Sequence, residues 1–211
     1  MPKTICILPL DTTTEFLRPV FDEICRLDEV EGLCGDTLED EFYERFVQLL
    51  EEPDLSQVVF LGHGSKTELY GTCLKSAIVD DSNYYLFANK RLLIFSCYSN
   101  IFLKNLTPSQ SIGFGFIPTA LDDVRDGRHL HELDLSLLSC ADLDVLKDAI
   151  VSIWHETLSE SDLSDYHRFK NKFVLYTNNK IVDLLTNNPN GKSRLIADVL
   201  FYLKDDMVVI A

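Results

Sequence analysis

The chain has 211 residues, enough for a sizeable hydrophobic core, and its 46% hydrophobic and 25% charged residues are typical of a globular protein. Its 34 acidic and 19 basic residues give a net charge of −15, which argues against a nucleic-acid partner because such a surface repels phosphates. No apolar run has the length of a membrane span or a signal peptide, so we expect a cytoplasmic protein without a membrane partner.

The first 118 residues alternate between apolar runs and segments with helical periodicity. Runs rich in apolar and β-branched residues predict four strands, at residues 4–10, 57–62, 91–96 and 111–118. Apolar side chains at helical spacing predict three helices, at residues 11–30, 37–54 and 100–106. Because the strands are apolar throughout and do not alternate with polar residues, we expect a mostly parallel sheet covered by helices on both faces, a three-layer α/β sandwich.

Beyond residue 118 the pattern becomes helical. Residues 119–136 have the composition of a loop, and residues 140–158 and 163–185 show the periodicity of long helices. The last segment, residues 192–210, is predicted to form a helix or a helix followed by a strand. We therefore expect a helical C-terminal part after the sheet.

The cysteines are expected to be reduced thiols. They are Cys6, Cys25, Cys34, Cys73, Cys97 and Cys140. Their spacings show no paired pattern, and the chain is neither small nor marked for secretion, so a disulfide framework is not predicted. No C-x-x-C occurs and no histidine lies at a ligand spacing from a cysteine, so we expect no metal and no cofactor. Cys6 and Cys25 lie in apolar patterns and are interpreted as small core residues.

Two predicted strands each end in a residue that can take part in catalysis. His63 follows the apolar run "VVFLG", and Cys97 follows "LLIFS". If these strands are neighbours, both side chains leave at the sheet edge where open α/β sheets bind ligands, and a thiol beside an imidazole can form a nucleophile with its acid/base partner. We also predict that Cys97 opens a short helix, whose N–H groups, with that of Gly64, would favour the thiolate and bind an oxyanion.

These segments resemble a known superfamily. An apolar strand ending in His-Gly, followed some thirty residues later by one ending in Ser-Cys, is similar to the signature of the caspase-like cysteine peptidases. The stretches "GHGSKTELYG" and "SCYSN" look most like the CHAT-type bacterial branch, and "SIGFGFIPTALDD" is similar to the segment that follows the cysteine helix there. The resemblance implies one caspase-like domain over residues 1–211, with the sheet core in residues 1–118 and a specificity loop and helices in residues 119–211.

The resemblance also implies an activity. Cys97 would be the nucleophile, His63 the general acid/base, and the backbone of Gly64 and Cys97 the oxyanion hole of an endopeptidase that needs no metal. The substrate would be a partner protein, since several CHAT-type proteins cut a companion in bacterial defence modules. The chain contains no recognisable sensor domain, so an activating or companion protein, dimerisation or self-cleavage within residues 122–132 would switch it on.

Acidic residues after the cysteine strand suggest a preference for basic substrates. In the Arg/Lys-cleaving branches of the superfamily, carboxylates hold the residue that precedes the scissile bond. Asp122 and Asp123 lie in the corresponding segment and are predicted to bind a substrate arginine or lysine. A solvated acidic loop in an acidic protein explains the same residues equally well.

Two other functions fit the same sequence. A relative without catalytic activity would keep the fold as an interaction module, with Cys97 and His63 in structural roles. A thiol enzyme of another kind would carry out amide hydrolysis or acyl transfer on a small molecule. A narrow closed pocket would favour the small-molecule enzyme, whereas an open groove along the sheet edge would favour a peptidase.

Overall fold

The protein is described from a computed structural model, over residues 3–37, 40–74, 76–125, 131, 133–187 and 191–210. The chain forms two compact units, residues Met1–Gly115 together with Val208–Ala211, and residues Phe116–Met207. The predicted sheet lies in the first unit and the C-terminal helices lie in the second. The division falls three residues before the predicted boundary at residue 118, and the end of the chain returns to the first unit.

The first unit is built around a six-stranded sheet. Its strands are β1 (Lys3–Pro9), β2 (Val30–Gly35), β3 (Leu55–Leu61), β7 (Arg91–Phe95), β8 (Gln110–Gly113) and β9 (Val208–Ile210), and their order in the sheet is β2-β1-β3-β7-β8-β9. All neighbours pair in parallel except β9, which runs antiparallel to β8. A smaller antiparallel sheet contains β4 (His63–Gly64), β5 (Leu69–Tyr70) and β6 (Ala77–Val79).

Helices cover both faces of the central strands. One face, which carries Ile7 and Phe60, packs against α2 (Asp40–Leu50) and α3 (Ser99–Phe102) in a continuous apolar core. The opposite face carries Cys6, and α1 (Arg18–Ile24) lies on it. This is the mostly parallel three-layer α/β sandwich that the sequence predicted, and burial on both faces explains why the strands are apolar throughout.

The second unit is helical. Its helices are α4 (Leu121–Arg125), α5 (Cys140–Glu160), α6 (Tyr166–Asn187) and α7 (Gly191–Asp205). Ser139 and Asp142 begin α5 with a reciprocal capping box, and the buried Trp154 contacts Phe169 and Phe173 of α6. Within the part of the chain that the structure describes, no helix has the length and apolar character needed to cross a membrane.

The central sheet differs from the prediction in two places. Strand β2 was missed because its sequence "VEGLCG" contains two glycines and a charge, and such a strand is tolerated at the sheet edge. The strand predicted to reach residue 118 ends at Gly113. The next two carbonyls, of Phe114 and Gly115, instead accept hydrogen bonds from the N–H groups of Asn100 and Tyr98.

Candidate active site

The carboxyl ends of three adjacent strands, β1, β3 and β7, form the candidate site. Leu61 of β3 pairs with Phe95 of β7, and the Gly62 N–H donates to the Phe95 carbonyl at 3.1 Å. Because these strands are parallel neighbours, the segments that contain His63 and Cys97 leave the sheet at the same edge.

Gly64 lies directly against the cysteine loop. A Cβ atom at this position would lie 2.5 Å from Ser96 Oγ and 3.2 Å from the carbonyl oxygen of Cys97, so the site has no room for a side chain here. His63 pairs with Tyr70 in the antiparallel hairpin that follows. Hydrogen-bonded and non-hydrogen-bonded pairs alternate in such a hairpin. The Ser65 N–H donates to the Glu68 carbonyl, so the preceding pair of Gly64 and Leu69 is not hydrogen-bonded, and the Gly64 N–H lies on the side away from β5.

Asp11 orients the ring of His63. The distance from His63 Nε2 to Asp11 Oδ2 is 3.0 Å, and the Thr13 hydroxyl oxygen lies 2.9 Å from the same nitrogen. The side chain of Asp11 is 4% exposed and that of His63 is 16% exposed, so the pair is largely shielded while the imidazole keeps some access to solvent. The imidazole is therefore held in one orientation by a buried carboxylate.

The Asp11 carboxylate receives several other hydrogen bonds. Its Oδ1 accepts from the Thr13 N–H at 2.8 Å, the Thr13 hydroxyl at 2.7 Å and the Thr14 N–H at 3.1 Å. Its Oδ2 accepts from the Cys73 N–H at 2.8 Å. The bonds to Thr13 and Thr14 form the turn that begins the next helical segment, so one side chain both starts a turn and holds His63.

These contacts determine the charge of Asp11. Burial opposes ionisation, but the hydrogen bonds from the Thr13 hydroxyl and from the N–H groups of Cys73 and Thr13, together with nearby His63, outweigh it and lower the pKa of Asp11 to about 2. The carboxylate is therefore ionised at neutral pH and can only accept hydrogen bonds. Neutral His63 must carry its proton on Nε2, which leaves Nδ1 as the basic nitrogen.

Cys97 lies in the turn between β7 and α3, which differs from the expected arrangement. The prediction that Cys97 opens the helix is wrong, because α3 begins at Ser99 and has only four residues. Its first N–H groups are also engaged, since those of Tyr98, Ser99 and Asn100 donate to backbone carbonyls. The helix start therefore supplies no oxyanion hole, and a role for the backbone N–H groups of Gly64 and Cys97 stays a prediction.

Backbone strain lies next to the site. Tyr98, which follows Cys97, has a φ of 58°, and Cys73, which donates to Asp11, has a φ of 57°. A bulky residue in the left-handed region is energetically unfavourable and persists only where its surroundings enforce it. The N–H group of each residue is anchored by a hydrogen bond, that of Tyr98 to the Gly115 carbonyl and that of Cys73 to the Asp11 carboxylate.

The predicted substrate-binding residues lie on α4, in the second unit. Asp122 is exposed, whereas one carboxylate oxygen of Asp123 accepts hydrogen bonds from the backbone N–H groups of Thr119 and Ala120. Asp123 thus caps the N-terminus of α4. Binding of a basic substrate by Asp122 and Asp123 stays a prediction. Most of the predicted self-cleavage loop, including residues 126–130 and 132, lies outside the described residues.

Asp11 was not predicted from the sequence as a site residue. The signal was present, because Asp11 follows the apolar run of β1 closely, as His63 follows that of β3. Asp11 was interpreted only as the first residue of a predicted helix. The pairing of β1 with β3 brings its carboxylate to the imidazole.

A scan of protein-family models finds none that matches this chain, and no curated protein matches it in sequence. The resemblance to caspase-like peptidases therefore rests on the motifs around His63 and Cys97.

Proposed function

We propose that the protein is a cysteine endopeptidase in which Cys97 is the nucleophile, His63 the general acid/base, and Asp11 the residue that orients His63. The hydrogen bond between His63 Nε2 and Asp11 Oδ2 carries this proposal. It supports a catalytic role because a carboxylate that fixes the tautomer and orientation of an imidazole is the third component of nucleophile–base sites.

The first step of the proposed reaction forms the nucleophile. Nδ1 of His63 takes the proton from the Cys97 thiol, and Asp11 supplies a negative charge beside the imidazolium that results. The thiolate then attacks the carbonyl carbon of the peptide bond, and the oxyanion accepts hydrogen bonds from the backbone N–H groups of Gly64 and Cys97. The close packing of Gly64 against Cys97 supports this pair of donors.

The remaining steps release the two products. His63 returns the proton to the leaving amine as the peptide bond breaks, which leaves an acyl group on the Cys97 sulfur. Water then attacks this thioester, with His63 again taking the proton, and the thiol is regenerated. No metal or cofactor takes part in this scheme.

The proposed substrate is a peptide bond in a partner protein, such as a companion in a defence module. This part of the proposal is supported by the resemblance of the His63 and Cys97 segments to CHAT-type peptidases. For a preference after basic residues, Asp122 is the better candidate, because its side chain is exposed while Asp123 caps α4. A panel of peptides with arginine, leucine or aspartate before the scissile bond tests this preference, and faster cleavage after leucine or aspartate would refute it.

The catalytic assignment is tested by the rate of alkylation at each cysteine, measured by peptide mass spectrometry over a range of pH. Cys73 and Cys140 are exposed, whereas Cys97 is half-buried, so accessibility alone predicts that Cys97 reacts more slowly. Activation by His63 predicts the opposite order at mildly acidic pH, where unperturbed thiols are almost fully protonated.

The control is His63→Ala, which should slow the alkylation of Cys97 by at least about tenfold and leave Cys140 unchanged. Equal rates at Cys97 in the two proteins would contradict the proposed dyad. An interaction module would then be the better explanation of the fold.

A further inference from the structure

A second pair of thiols lies on the sheet face covered by α1. Cys6 is a buried residue of β1, and its partner in the pairing with β2 is Gly32. A Cβ atom at Gly32 would lie only 2.6 Å from the sulfur of Cys25, which directly follows α1. The missing side chain of Gly32 therefore provides the space that brings the Cys25 sulfur beside Cys6.

The Cys25 sulfur occupies the space over Gly32, which is paired with Cys6, so the two thiols are neighbours on this face of the sheet. They differ in environment, because Cys6 is fully buried while Cys25 is half-buried. The interaction with the Cys6 thiol lowers the pKa of Cys25, although burial and Asp22 oppose the shift. Burial, with the contact to Cys25, raises the pKa of Cys6 well above its usual value, so Cys25 ionises first.

We propose that Cys25 and Cys6 form a redox site that reduces a hydroperoxide, with Cys25 as the attacking thiol and Cys6 as the resolving thiol. The position of the Cys25 sulfur over Gly32, beside Cys6 on the paired strand, carries this inference. It goes beyond the proposed peptidase activity and does not depend on it, since neither sulfur belongs to that site.

The reaction has two steps. The Cys25 thiolate attacks one peroxide oxygen, the O–O bond breaks, and the other oxygen leaves with a proton as water or an alcohol. The Cys6 sulfur then attacks the Cys25 sulfenic acid, forming the S–S bond and breaking the S–O bond, and the hydroxide leaves with the Cys6 proton as water. Two thiols lose two electrons in total, and the hydroperoxide gains them.

The cross-link would act on the peptidase site through one loop. The segment between Cys6 and Cys25 contains Asp11 and Thr13, both of which contact His63. A disulfide would tie the end of α1 to β1 and would close this loop covalently. The oxidised protein should therefore resist unfolding of the Asp11 segment more than the reduced protein does, because the cross-link restricts the unfolded chain.

Cys34 is the third thiol in this region and the main competitor as a partner. It lies two residues beyond Gly32 on β2, on the same face of the sheet, and it is half-buried. Burial raises the pKa of Cys34, and the nearby Cys25 adds to that shift. The Cys25 sulfur lies over Gly32, directly across from Cys6, whereas Cys34 is two residues further along β2, so Cys6 is the preferred partner.

The test is oxidation of the folded, reduced wild-type chain with hydrogen peroxide, followed by peptide mass spectrometry without reduction. We expect a loss of two hydrogen atoms in mass and a cross-linked peptide pair that contains Cys6 and Cys25, reversed by added thiol. In Cys6→Ala, the Cys25 sulfenic acid should persist and be trapped by dimedone. Cys140→Ser, which changes an exposed cysteine of the second unit, should oxidise as the wild type does.

Two results would overturn the proposal. One is a cross-link from Cys25 to Cys34 in place of Cys6, and the other is oxidation of Cys73 or Cys140 before Cys25. The same experiment in Cys97→Ala separates this proposal from the peptidase assignment. A Cys6–Cys25 cross-link in that variant supports the redox site whatever the activity of Cys97.

Discussion

Replacement of Asp11 by asparagine tests the electrostatic argument most directly. The folded state lowers the pKa of Asp11 from 3.8 to about 2, which corresponds to about 2.4 kcal/mol of stability. Because the folded pKa lies below the unfolded one, this contribution is fully present above about pH 4 and is lost as the pH falls towards about 2.

The asparagine side chain would also disturb the hydrogen bonds. If its amide oxygen accepts from Thr13 and Thr14, its NH₂ group faces the Cys73 N–H, and the two donors oppose each other. An unsatisfied buried donor costs about 1–3 kcal/mol. We therefore expect Asp11→Asn to lower the free energy of unfolding at pH 7 by about 2–4 kcal/mol.

The assay is urea unfolding at pH 7 and at several values between pH 2 and 5. Far-UV circular dichroism follows the whole chain, and fluorescence of Trp154, the single tryptophan, follows the second unit. The matched control is Asp122→Asn, an exposed carboxylate whose replacement should change stability by less than about 0.5 kcal/mol. A difference between wild type and Asp11→Asn that stays constant from pH 5 to pH 2 would refute the reasoning.

Two further substitutions test the packing around the site. Gly64→Ala should cost about 1–3 kcal/mol because the new Cβ overlaps Ser96 Oγ, and addition of Ser96→Gly should recover part of that loss in a double-mutant cycle of urea unfolding. Purely additive effects would contradict the contact. Ser99→Ala should cost about 1–3 kcal/mol by the same measurement, because the buried Phe114 N–H loses its acceptor, whereas the exposed Ser159→Ala should be nearly neutral. Equal effects of the two serine substitutions would show that this hydrogen bond has little importance.

Much of the fold follows from local sequence patterns. The apolar runs that end before His63 and Cys97 predicted buried parallel strands, and β3 and β7 have that character. The long periodic segments predicted α5 and α6 correctly to within a few residues. These predictions succeed because a strand buried on both faces is a continuous apolar run, and a helix buried on one face has apolar residues at helical spacing.

The sequence was less informative where a local structure depends on contacts with a distant part of the chain. The turn after Cys97 is shaped by the carbonyls of Phe114 and Gly115, so the sequence did not show that Cys97 lies in a turn before α3, which begins at Ser99. Strand β2 is held by its pairing with β1, although its own residues have low strand propensity.

The sequence by itself determined the class of fold and singled out His63 and Cys97 at the ends of two apolar strands. The tertiary structure decided that those strands are neighbours and that Asp11 lies 3.0 Å from His63 Nε2. The reason is physical: periodicity records whether a side chain is buried, whereas a contact between residues 11 and 63 depends on the order in which strands pair. Only the folded sheet specifies that order.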